Sequence, residues 1–218
     1  PDSRNSILFV LDASITMIDE VTRARWAVLA LVAVCVLPAG AVFGAAERTL
    51  ANGLKIIVKE DHRSPVAVSM MWYRAGSMDE VSGTTGVAHV LEHMMFKGTQ
   101  KVPLGEFSRT IARAGGRDNA FTSRDHTAYY QQLHKSKLAL AFELEADRMV
   151  NLQFSGEEFA RELKVIMEER RMRTDDNAHG QLSELMMATV YAVHPYRTPV
   201  IGWMSDLEYL TVKDAQEW

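Results

Sequence analysis

Thiols are almost absent from this chain. Cys35 is the one cysteine in 218 residues, so no disulfide and no cysteine-based metal site can form within it. Excess charge is scarce as well. Lys and Arg number 24 against 28 Asp and Glu, a formal net charge of -4. That balance favours neither nucleic acid nor an anionic membrane surface. There is no internal repeat and no low-complexity segment, which excludes repeat architectures. What remains is ordinary for a globular protein: 47% hydrophobic and 24% charged residues, with enough length for a proper core.

The one long apolar run comes early. Arg23 and Arg25 precede Trp26 to Ala46, and the run ends Gly44-Ala45-Ala46 before Glu47. A basic start, an apolar middle and small residues at the end predict a secretory signal peptide cleaved after Ala46. Export to a bacterial periplasm or to the medium follows. The alternative is an uncleaved anchor through residues 26–46, since the run has about the length a membrane-spanning helix needs. Only in that case is a membrane a partner. Met17 is the natural initiator under this reading, which leaves residues 1–16 without a role. Pro1 in place of Met, and an end at Trp218 inside a starting helix capped by Thr211, predict a piece of a longer chain or an imperfect gene prediction, the alternative being an ordinary short protein with a processed start.

Further on, strand and helix signals mix without regular alternation. Leu54 to Lys59 follows the turn Asn52-Gly53 and reads as a strand, as do Val66 to Arg74, Asp118 to Thr122 and His126 to His134. Helices are expected over 85–96, 103–114, 135–151, 155–173 and 181–193. The third has Leu138, Phe142, Ala146 and Met149 along one side. The fourth opens on the capping box Ser155-Gly156-Glu157-Glu158. Pro195 and Pro199 mark an extended crossing. The pattern predicts an α+β fold, a mixed and largely antiparallel sheet packed with helices. Residues 1–46 are the extension and leader, 47–195 a metal-bearing domain, and 196–218 the start of a following region.

The chemistry concentrates in His89-Val90-Leu91-Glu92-His93. Histidines four apart lie on one helix face and can share a metal ion. Glu92, three after His89, points to the same side and can address a water on that metal. The order H-x-x-E-H is the inverted zinc-peptidase helix, the inverzincin motif. Catalytic zinc takes three protein ligands and keeps a place for water, so a third ligand must come from elsewhere. Glu162 and Glu169 are seven apart on the helix opened by Ser155 and share a face to within about 20°. Glu168 is rotated away by about 100°. One carboxylate of the shared face can ligate while the other orients the site.

From residue 47 onward the sequence resembles the pitrilysin/insulinase family of zinc metallopeptidases, in the branch of short subunits that includes mitochondrial processing peptidase. Four ordered blocks carry the resemblance: Gly86 to Thr99 around the motif, Gly116 to Ser123 with Tyr129-Tyr130, Arg161-Glu162-Leu163 through Glu168-Glu169, and His194-Pro195-Tyr196 with Pro199 to Gly202. The resemblance implies one zinc ion per chain, held by His89, His93 and Glu169. It implies Glu92 as general base and Glu162 as a second acidic residue supporting the catalytic site. It implies Asn119, Ala120 and Phe121 as a strand edge that holds an extended substrate. A peptide added to a strand edge is held by main-chain hydrogen bonds, nearly independent of its sequence. The expected function is a zinc-dependent endopeptidase acting on peptides or small unfolded proteins.

Short members of that family run to roughly twice the length seen here and enclose substrate between homologous halves. The resemblance therefore implies a homologous domain or subunit that completes a chamber. The alternative function is a non-catalytic binding or chamber-forming subunit. Such subunits usually lose the metal residues, and this chain keeps them. The remaining histidines, His62, His126, His134, His179 and His194, read as surface or structural.

Overall fold

The computed structural model describes residues 45–218. Cys35, and the leader and anchor readings before residue 45, lie outside the described residues. Among those described, no helix is long and apolar enough to cross a membrane. The chain divides into two compact units, Pro1–His62 and Arg63–Trp218.

The described part of the first unit is a hairpin. Strands β1 (Ala46–Thr49) and β2 (Lys55–Val58) pair antiparallel, with Ala46 opposite Val58 and Thr49 opposite Lys55. Asn52 and Gly53 make the turn. Gly53 takes φ 88°, and the Asn52 side chain accepts from the Leu54 amide at 3.2 Å. β1 begins at Ala46, so the residue expected to end the leader also opens a strand. Ala-Glu-Arg-Thr has little strand character of its own.

The second unit holds a three-stranded antiparallel sheet in the order β3-β5-β4: β3 (Val66–Tyr73), β4 (Arg117–Thr122) and β5 (Thr127–His134). Seven α-helices are found among the described residues: α1 (Val87–Met94), α2 (Glu106–Arg113), α3 (Leu138–Asn151), α4 (Gly156–Arg170), α5 (Ala178–Val190), α6 (Met204–Leu207) and α7 (Val212–Glu217). This is the expected α+β architecture with antiparallel pairing. β5 is central, and Ala128, Tyr129, Gln131 and Leu133 are buried along it. β4 lies at one edge. A tight turn joins β4 to β5, with the Ser123 amide donating to the His126 carbonyl at 2.8 Å.

The helices begin where capping chemistry allows. Ser155 accepts from the Glu158 amide at 3.1 Å, and Glu158 accepts from the Ser155 amide at 2.9 Å, so α4 opens on the capping box. Thr211 and Asp214 do the same for α7. One expectation is corrected at α3. Phe142 and Met149 are exposed, and the buried stripe is Ala141, Leu144, Glu145 and Arg148. Arg148 meets the Glu145 carboxylate at 2.7 Å, and Gln131 donates to that carboxylate at 2.7 Å. The guanidinium also lies 4.4 Å from the Phe107 ring centroid and 4.5 Å from that of Tyr129. A paired, ring-sandwiched charge can be buried where an unpaired one cannot.

The core that positions the metal helix is apolar. Val87, Val90 and Met94 of α1 pack with Phe159 and Ile166 of α4 and with Leu207, Leu210 and Ala215 near the chain's end. Full burial of each such large side chain contributes roughly 1.5–3 kcal/mol. The start of α1 is held separately. Gly86 sits at φ 91°, and a Cβ there would meet the Ile201 carbonyl at 2.7 Å. A Cβ on Gly202, at φ 83°, would meet the Thr85 carbonyl at 2.4 Å. Two backbones therefore touch at this point, and only glycines allow it.

Candidate metal centre and cleft

α1 presents His89 and His93 on one face, and α4 presents Glu169 opposite them. Glu169 Oε2 lies 3.8 Å from His89 Nε2 and 3.5 Å from His93 Nε2. One ligand atom from each of the three residues falls within 4.8 Å of the others. Glu169 Oε2 is buried and has no hydrogen-bond partner within the protein. A buried carboxylate oxygen left without a donor is costly. A cation at the point where the three atoms converge removes that cost. Two imidazoles and one carboxylate are the donor set of several catalytic zinc sites. The residues present fit a zinc ion.

The outer side of each ligand is held unequally. Glu162 Oε1 lies 2.9 Å from His93 Nδ1. Burial raises the Glu162 carboxyl, but its bonds to Lys97 and His93 outweigh that and hold it below its ordinary value. It is thus an acceptor, which makes Nδ1 the donor and leaves Nε2 with its lone pair toward the metal point. Lys97 completes this chain by an ion pair to Glu162 Oε2. His89 has no such support. Its Nδ1 is buried without a partner. Burial first, then the His93 and Arg173 charges, hold His89 down at about 3, so it is neutral around pH 7.

Glu92 lies on the same helix and lines the same cleft as the ligands. The Thr122 hydroxyl on β4 donates to Glu92 Oε2 at 2.5 Å. Burial raises the Glu92 carboxyl, and the Thr122 bond opposes the rise. A half-buried carboxylate with a raised pKa inside a cleft is what a proton-transfer group requires.

The cleft measures about 620 Å³ and runs from the metal point along the β4 edge. Asn119, Ala120, Phe121 and Thr122 form one wall, and Glu169, Arg173, Thr174, Gly180 and Glu184 another. Among the described residues β4 has no strand on its outer side. The Ala120 amide is meanwhile engaged by its own neighbour, donating to Asn119 Oδ1 at 2.9 Å. Phe121 is 37% exposed and packs edge-on to Trp72 at 5.7 Å. His126 joins that aromatic group, 4.7 Å from Trp72.

Sequence reasoning brought out His89, Glu92, His93, Glu162 and Glu169, and the structure gathers them in one place. Glu168 faces out and pairs with Arg171. Lys97, Thr122 and Arg173 were missed. Lys97 follows His93 by four and Arg173 follows Glu169 by four. Helical spacing thus held a signal for both. Thr122 had none, because only the fold brings β4 to α1.

An inverted zinc-peptidase helix, a carboxylate ligand from a second helix and a strand edge beside them define a metallopeptidase type of fold and site. The chain belongs to the family described as Insulinase (Peptidase family M16), which it matches over residues 55–202. It is 38% identical over 171 residues to the zinc protease PqqE of Helicobacter pylori, covering 78% of this chain and 38% of that protein. The crystal structure of a protease from Helicobacter pylori superimposes with a TM-score of 0.76 at 38% identity, over 79% of this chain and 42% of that one. A probable mitochondrial-processing peptidase subunit beta from Arabidopsis thaliana is 32% identical over 174 residues, 78% of this chain and 32% of its own. The chain thus spans about two fifths or less of the length of these curated relatives.

Proposed function

We propose that this chain carries the zinc-bearing part of an endopeptidase that hydrolyses peptides or small unfolded proteins. The observation that carries the reading is the convergence of His89 Nε2, His93 Nε2 and the unpartnered Glu169 Oε2 beside Glu92. A zinc ion held by His89, His93 and Glu169 would supply a Lewis acid and make a neighbouring water easier to deprotonate near pH 7. Glu92 takes the proton of the attacking water and returns it to the leaving amine. Thr122 holds the Glu92 carboxylate in place for both transfers. An extended substrate lies along Asn119, Ala120 and Phe121, where main-chain bonds fix its register. For it to pair with the Ala120 amide, the Asn119 side chain swings aside. A homologous domain or subunit closes the chamber over the cleft. That arrangement is supported by the relatives' greater length and by the processing-peptidase subunit among them. The basic start, apolar run and small residues of 23–46 are the sequence pattern behind a further proposal, export to the periplasm or the medium.

Two measurements test the reading. Purified protein should hold one zinc per chain, and Glu169→Ala should hold markedly less. Equal zinc in both, or none in either, defeats the ligand assignment. Peptide cleavage by the full-length gene product should fall about 10²–10⁴-fold in Glu92→Gln, with zinc content unchanged. Equal cleavage by the two would remove Glu92 as the base.

A further inference from the structure

α4 does not end as an ordinary helix. Just after Glu169 and Arg170 the backbone widens into a π-helical turn, Arg171–Asp175, closed by the Asp176 amide donating to the Arg171 carbonyl at 2.8 Å. Such turns cluster at functional sites. This one is braced from two sides. Gly180, in the first turn of α5, lies so close that a Cβ would meet the Arg173 carbonyl at 2.3 Å. Arg170 is buried and ties the segment to Glu184 of α5 at 2.8 Å and to the Gly202 carbonyl at 2.9 Å.

The braced turn carries Arg173. Its guanidinium meets Glu169 Oε1 at 2.8 Å, while Glu169 Oε2 faces the two histidines without a donor. The carboxylate is thereby divided: one oxygen is held from outside, and the other is aimed inward. Arg173 is 70% exposed along its side chain. An exposed pair of this kind adds little to folding stability. Its consequence falls instead on the orientation of Glu169.

We infer that Arg173 is a positioning residue for the metal site. It locks the Glu169 carboxylate through Oε1 so that Oε2 alone is presented as the ligand. The inference rests on the zinc reading above. Groups that hold a metal ligand from behind typically change metal affinity by about 10–100-fold when removed.

The test is zinc affinity, measured by competition with a chromogenic chelator on the whole protein, its Arg173→Met variant and its Arg173→Lys variant. Arg173→Met is expected to bind zinc about 10–100-fold more weakly, with the thermal midpoint of the metal-free protein unchanged. Arg173→Lys keeps the positive charge on a single nitrogen without the guanidinium fork and should lie between the two. An Arg173→Met affinity equal to or tighter than that of the unaltered protein overturns the inference. So does a lysine variant no better than methionine. So does a fall in affinity matched by a fall in metal-free stability. If the unaltered protein itself binds no zinc, the parent reading fails instead.

Discussion

A single hydrogen bond decides which nitrogen of His93 can bind metal. Glu162 accepts from Nδ1 at 2.9 Å, and Lys97 keeps Glu162 ionised. Glu162→Gln retains the size of the side chain but lets it offer either an acceptor or a donor to the ring. Zinc affinity should fall about 10–100-fold, read by chelator competition, while Glu168→Gln on the neighbouring exposed position should leave it unchanged. Equal affinities for all three proteins would show that Glu162 does not orient His93. The histidine and glutamate positions were legible because helical period alone puts 89 with 93 and 162 with 169. The division of labour between Glu162 and Glu169 was not legible from period. It depends on how far each lies along α4 from the crossing with α1, which is a property of packing.

At the scale of elements, the start of α1 depends on groups outside the helix. The Gly86 and Ala88 amides donate to the Glu80 carboxylate at 2.8 and 2.9 Å. Asp206 accepts from the Gly83 and Thr85 amides and from the Thr85 hydroxyl. Burial pushes Glu80 up to about 7. The two amides pull it back, and the Asp206 and Asp79 charges add to the rise. An unfolded glutamate titrates near 4.5, so the folded protein holds an extra proton between there and about 7. Glu80 therefore favours folding fully below about 4.5, and that contribution is lost as pH rises to about 7. Thermal midpoints of metal-free protein and of Glu80→Gln should diverge in favour of the variant across that window. A constant difference would exclude Glu80 as the titrating group. Gly202→Ala should cost about 2 kcal/mol or more, read by denaturant unfolding, since its Cβ meets backbone at 2.4 Å. These devices escaped the sequence reading for physical reasons. The α1 cap comes from a residue upstream of the usual capping position. α3 buries a charge pair in place of its apolar side. β1 and α6 are four residues each, too short to show a period. The π turn after α4 reflects the approach of Gly180, which no local pattern encodes.

At the scale of the whole molecule, every residue placed at the metal point lies in the second unit. His89, Glu92, His93, Lys97, Thr122, Glu162, Glu169 and Arg173 all fall within Arg63–Trp218, as do both apolar core clusters. Protein lacking residues 1–62 should therefore fold and bind one zinc with unchanged affinity, as judged by circular dichroism and chelator competition. Loss of zinc binding in that protein would show that the first unit supports the site. The bond between Asn119 Oδ1 and the Ala120 amide has a further consequence for how copies of the molecule behave toward one another. A bare strand edge is a template on which other chains can stack, the usual route to aggregation. Here the amide at the middle of the β4 edge is already satisfied within its own strand. The edge should therefore recruit a stray strand less readily than a substrate held in place by the rest of the cleft.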